Sequence, residues 1–115
     1  MTVVDGNTGK IVAMQPIGRG VDATEFDRER KLVFFSTGGG EGVLSIFHED
    51  APDRYTRMED VKTQAGARTL ALDRKTGKVF LSVAEFGPAR EGATGKQPAR
   101  GPMVPGSFSV LVVGQ

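Results

Sequence analysis

The stretch GVDATEFDRERKLVFFS at residues 20–36 recurs in altered form as GARTLALDRKTGKVFLS at residues 66–82. The two copies align without a gap at an offset of 46 positions, which places residue 20 on residue 66. Each copy has two short apolar runs separated by turn residues, so each is predicted to form an antiparallel strand pair. The identical positions are Gly20/Gly66, Asp27/Asp73, Arg28/Arg74, Val33/Val79, Phe34/Phe80 and Ser36/Ser82.

The rest of the chain continues this pattern of short apolar runs bounded by Gly, Pro, Asn or Asp. No window of ten or more residues combines helical spacing of apolar residues with the absence of Gly. We therefore predict an all-β fold of about nine strands. They are expected at residues 1–5, 10–17, 21–27, 31–36, 43–48, 54–61, 67–73, 78–84 and 107–113.

A unit of four short antiparallel strands that repeats every 40–46 residues or so is typical of β-propeller blades. The sequence then divides into the end of one blade at 1–17, a complete blade at 18–61 and a further blade at 62–115. The last blade carries a Pro/Gly-rich insertion at 87–106, which is either a binding loop or an insertion without a dedicated role. About two blades and part of another cannot close a ring alone, since closed propellers have about four to eight blades.

Several segments resemble the C-terminal blades of bacterial YncE-like propeller proteins, the YVTN-repeat family. The segments are GVDA at 20–23, HED at 48–50, TQAGART at 63–69, AEFGP at 84–88 and VPGSF at 104–108. The resemblance implies a β-propeller and a periplasmic or secreted protein. It does not specify an activity, because one fold hosts many functions. The missing blades are expected from further copies of the chain, as a homo-oligomer, or from a longer chain.

Composition narrows the possible partners. Lys and Arg number 15 against 14 Asp and Glu, a net charge of +1, so no basic surface for nucleic acid is predicted. The absence of Cys excludes disulfides, thiolate catalysis and cysteine-type zinc sites. No apolar run approaches the ~20 residues of a membrane helix, and the first ten residues do not resemble a signal peptide.

Asp22 and Arg68 are the main candidates for a ligand site. They follow Gly20 and Gly66 by two residues, at the entry of strands that would line the central channel of a propeller. Opposite charges at this channel mouth could bind a small polar or anionic ligand. Alternatively, they could form structural salt bridges between neighbouring blades.

His48 and Asp50 are further candidates for the same ligand site. Successive strand residues point to opposite faces, so His48 and Asp50 can share a side whereas Glu49 cannot. One His and one Asp do not complete a zinc site, and no metal site is predicted. The alternative is a polar hairpin turn around residues 50–53.

The chain offers no nucleophile paired with a base, so no catalytic residue and no cofactor are predicted. We expect a non-catalytic module that binds a ligand or a protein. One alternative is a propeller enzyme, either a lactonase-like hydrolase or a quinoprotein-type dehydrogenase, with a bound metal or quinone. Another is a fragment or designed chain without independent function.

The D-x-x-T-G-K stretches at 5–10 and 73–78 are interpreted as tight turns rather than calcium loops.

Overall fold

The structure is a computed structural model that describes residues 1–39, 41–87 and 102–114. All regular secondary structure in these residues is β, which confirms the predicted fold class. Residues 88–101 of the predicted insertion lie outside the described residues. The strands in chain order are β1 (Thr2–Val4), β2 (Ile11–Met14), β3 (Val21–Asp27), β4 (Leu32–Thr37), β5 (Val43–Ala51), β6 (Arg54–Lys62), β7 (Leu70–Asp73), β8 (Lys78–Val83) and β9 (Ser109–Val113).

The strands form three antiparallel sheets in which neighbours along the chain are neighbours in space. The first sheet is β1-β2, the middle sheet is β3-β4-β5-β6, and the third sheet is β7-β8-β9. The third sheet repeats the order of the first three strands of the middle sheet. The meanders are consistent with partial propeller blades, and these sheets do not close into a barrel.

The middle sheet is covered on both faces, so the three sheets stack in chain order. Every residue of β4 is buried, which is unusual for a strand with only one face on a core. One face of the middle sheet packs toward the first sheet through Val33, Phe35 and Phe47, together with Met1 and Ile17. The opposite face packs on the third sheet through a second cluster that contains Leu32, Phe34, Leu44, Leu70, Val79, Leu81 and Val83.

One type of turn occurs in each of the three sheets. An Asp at the start of the turn accepts a backbone N–H from two residues ahead, at 2.7–3.1 Å, in the pairs Asp5–Asn7, Asp27–Glu29 and Asp73–Lys75. The fourth residue after each Asp has positive φ: Gly9 (72°), Lys31 (58°) and Gly77 (75°). The tight turns predicted at 5–10 and 73–78 thus have a counterpart at 27–31, where Lys occupies the position that favours glycine.

Candidate ligand site at the inner strand ends

The stacking of the middle and third sheets brings Asp22 and Arg68 together. Asp22 lies near the start of β3, and Arg68 lies two residues before β7. Arg68 Nε is 3.8 Å from Asp22 Oδ2, so the two oppositely charged groups form an ion pair between neighbouring sheets. The sequence repeat placed them at equivalent positions, and the structure adds that they are in contact.

Gly38 lets the side chain of Arg68 lie across the end of β4. A Cβ atom on Gly38 would be only 2.4 Å from Arg68 Cγ and 3.2 Å from Asp22 Oδ2. The backbone of Gly38 is held from both sides, because its carbonyl accepts the Gly66 N–H at 3.0 Å and its N–H donates to Asp22 at 3.4 Å. A side chain at this position would therefore displace the arginine.

The backbone of Arg68 is fixed by the middle sheet as well. The hydroxyl of Ser36, a fully buried residue at the end of β4, donates a hydrogen bond to the Arg68 carbonyl. The position of Arg68 is thus set by hydrogen bonds to its own backbone and that of Gly66, as well as by its ion pair.

The side chain of Arg68 is half-exposed. It is 50% exposed and that of Asp22 is 34% exposed, and ion pairs at such exposure stabilise a fold only weakly. An arginine has five N–H donors. The ion pair with Asp22 is made by Nε.

Arg68 lies between two adjoining grooves of about 480 and 290 Å³. Both grooves are also lined by Gly66, Ala84 and Phe86, and Phe108 adds a second aromatic ring to the smaller one. Glu85 lines the larger groove and is the acidic residue on its wall. A cation beside aromatic and aliphatic surface is suited to a small anion that carries an apolar part.

His48 and Asp50 are also brought together, but away from Arg68. His48 Nδ1 is 2.8 Å from Asp50 Oδ1, on the shared side of β5 that strand alternation predicts. Thr56 on β6 donates its hydroxyl to the other oxygen of Asp50. The pKa of Asp50 is lowered by the Thr56 hydrogen bond first and by His48 second. This cluster ties β5 to β6.

The pairing register separates the two pairs of candidate residues. Thr37 pairs with both Val21 and Val43, so the start of β5 lies near Asp22. His48 follows Val43 by five residues, which is about 17 Å along a strand. Asp22 and Arg68 form one arrangement, His48 and Asp50 form another, and the two do not share a groove.

Asp27 and Arg30 form a further ion pair, which was not predicted from the sequence. The side chain of Asp27 is 1% exposed, and its Oδ2 accepts a hydrogen bond from Arg30 Nη1 at 2.9 Å. Arg30 also donates to the carbonyls of Arg74 and Lys75, at 2.9 and 3.2 Å, and so connects the middle sheet to the third. The repeat does indicate Asp27, because Asp27 aligns with an identical residue, Asp73. It does not indicate Arg30, which has no counterpart in the second copy.

Burial is the largest influence on the pKa of Asp27 and raises it. The hydrogen bonds from the backbone and side chain of Arg30, its positive charge and the Glu29 N–H together outweigh burial, so the pKa of Asp27 lies below its usual value. The buried carboxylate is therefore ionised and acts as a structural connection between sheets.

The described residues offer neither a cluster of metal ligands nor a membrane-spanning helix. No group of three or more His, Cys, Asp or Glu side chains in this part of the chain is arranged to hold a metal ion. Among the same residues, no helix has the length and apolar character needed to span a membrane.

No protein-family model, curated protein or solved structure matches this chain. The resemblance to YncE-like propellers stays a prediction from the residues, whereas the all-β stack of antiparallel sheets stands on the structure itself.

Proposed function

We propose that this chain is a non-catalytic binding module whose ligand is a small anion with an apolar part, bound at the inner strand ends by Arg68. The observation that carries this proposal is the half-exposed Arg68 guanidinium between two adjoining grooves. A guanidinium can donate two parallel hydrogen bonds to a carboxylate, which favours a planar anion over a neutral analogue.

The surroundings of Arg68 favour binding in two ways. Its stem rests on Gly38 and its carbonyl is fixed by Ser36, so less freedom of the side chain is lost when a ligand binds. Phe86 and Phe108 are 40% and 62% exposed beside the grooves and can cover the apolar part of a ligand. The carboxylate of Asp22 opposes an anion and is expected to keep the affinity modest.

Titration calorimetry with benzoate as the probe tests the proposal, with benzamide as its uncharged analogue. We expect benzoate to bind more tightly than benzamide, and Arg68→Gln to weaken benzoate binding about tenfold or more, since hydrogen bonds to charged groups contribute about 1.5–3 kcal/mol. Arg28→Gln is the matched control, because Arg28 is an exposed arginine in the β3–β4 turn. Equal affinity of the Arg68→Gln variant and the wild type would refute the site, as would equal binding of benzoate and benzamide.

A further inference from the structure

The stack of three sheets has two outer faces, and both carry exposed apolar side chains. On the first sheet, Ile11 and Met14 are 60% and 69% exposed. On the third sheet, Val110 and Val112 of β9 are 52% and 54% exposed, and Phe108 just before the strand is 62% exposed. Where such side chains form a contiguous patch, they mark a place of interaction.

The outer face of the third sheet is the repeat equivalent of a face that is buried in the middle sheet. Phe80 aligns with Phe34, and Phe34 is buried against the third sheet. Phe80 pairs with Val112 and Ser82 pairs with Val110, so these four side chains share the outer face. The exposed outer face of the third sheet is therefore equivalent, in the repeat, to the face of the middle sheet that is buried against the third sheet.

The outer face of the first sheet has matching chemistry. Thr2 pairs with Met14 and Val4 pairs with Ile11, and all four residues are exposed. These paired positions carry no charged side chain, and on the outer face of the third sheet the charged pair Asp73–Lys78 lies at one end, beside the apolar pairs. Charged residues are depleted at the centre of protein interfaces.

We propose that a second copy of this chain packs its first sheet against the outer face of β7-β8-β9, so that copies associate head to tail. The contact continues the order in which the sheets stack within one chain, with one more sheet-on-sheet layer at each junction. Because the two surfaces differ, each copy keeps one free face after pairing, and further copies add until a ring closes. This inference does not depend on the ligand proposed at Arg68.

Sedimentation velocity of the full chain over a wide range of concentration tests the inference. We expect the wild type to form species larger than a dimer. Val112→Glu and Met14→Glu, which each disable one of the two surfaces, should both be folded monomers by circular dichroism and sedimentation. Met58→Glu is the matched control, since Met58 is 56% exposed on β6 of the middle sheet and belongs to neither outer face, so it should associate like the wild type.

An equal mixture of the two monomeric variants distinguishes head-to-tail packing from pairing of like faces. Each variant keeps the surface that the other lacks, so the mixture should form dimers and nothing larger. A mixture that stays monomeric would overturn the inference. So would a wild type that is monomeric at every concentration, or association of either variant alone.

Discussion

At the scale of single residues, Lys31 is in an unfavourable conformation. Its φ of 58° lies in the left-handed region, where the equivalent turns have Gly9 and Gly77. A non-glycine residue in this region costs about 1–2 kcal/mol relative to its usual conformations. The backbone of Lys31 is held by β5, because the Lys31 carbonyl accepts a hydrogen bond from the Glu49 N–H at 2.8 Å.

We predict that Lys31→Gly stabilises the fold by about 0.5–1 kcal/mol, since relief of the strain exceeds the greater flexibility of glycine in the unfolded chain. Urea denaturation measures this difference. The matched control is Lys75→Gly, at a position of the equivalent turn that does not have positive φ, which should destabilise the fold. Equal destabilisation by both substitutions would contradict the prediction.

The Asp27 carboxylate makes stability depend on pH in the acid range. Its pKa in the folded protein lies below the ordinary value of 3.8. A lowered pKa in the folded state means that the unfolded state binds protons first as pH falls. The contribution of Asp27 is therefore complete above the ordinary pKa and is lost as pH falls through the lower, folded value.

We predict that Asp27→Asn lowers the free energy of unfolding at neutral pH by about 1.5–3 kcal/mol, because the hydrogen bonds to a charged group are lost. The difference between wild type and variant should shrink below about pH 3.8. Chemical denaturation across pH 2–7 or so measures it. A difference that is constant with pH would show that the charge of Asp27 contributes nothing.

At the scale of strands and turns, most of the structure follows from local pattern. The repeat of 20–36 in 66–82 predicted the strand pairs β3-β4 and β7-β8, because apolar runs flanking turn residues specify a hairpin without help from the rest of the chain. The seventh strand begins at Leu70 rather than at residue 67 as predicted. The Ala67 N–H donates to the Gln64 carbonyl instead, in a turn.

The candidate site follows from the sequence only in part. The repeat identified Asp22 and Arg68 as equivalent positions, but their contact depends on the distance between stacked sheets and on the room left by Gly38. His48 and Asp50 were grouped with them, although strand length separates the two pairs. The role of Arg30 was not predictable, because its partners are backbone carbonyls of another sheet, and a carbonyl leaves no signature in the sequence.

At the scale of the whole molecule, two separate clusters hold the stack together. Phe47 is fully buried in the cluster toward the first sheet, where its ring meets Phe35 edge to face at 5.9 Å. Leu81 is equally buried in the cluster between the middle and third sheets. Each cluster is thus expected to control the attachment of one outer sheet.

We predict that Phe47→Leu costs about 1–2 kcal/mol and speeds hydrogen exchange in β1 and β2 more than in β7–β9, because the lost ring supports the first sheet. Leu81→Val is the counterpart and should affect β7–β9 more. Amide hydrogen exchange read by mass spectrometry compares the two variants. A uniform increase over all three sheets in both variants would mean that the stack opens as one unit.

The connections between the middle and third sheets are placed unevenly. Ser36 and Gly38 bind the segment 66–68 beyond one end of β4, and Arg30 binds the carbonyls of Arg74 and Lys75 beyond the other. The opposite margin has an apolar groove of about 220 Å³ between β6 and the end of β9. Hydrogen bonds thus join the third sheet to the middle sheet at both ends of β4, and the buried apolar cluster between them sets the spacing at which Asp22 meets Arg68.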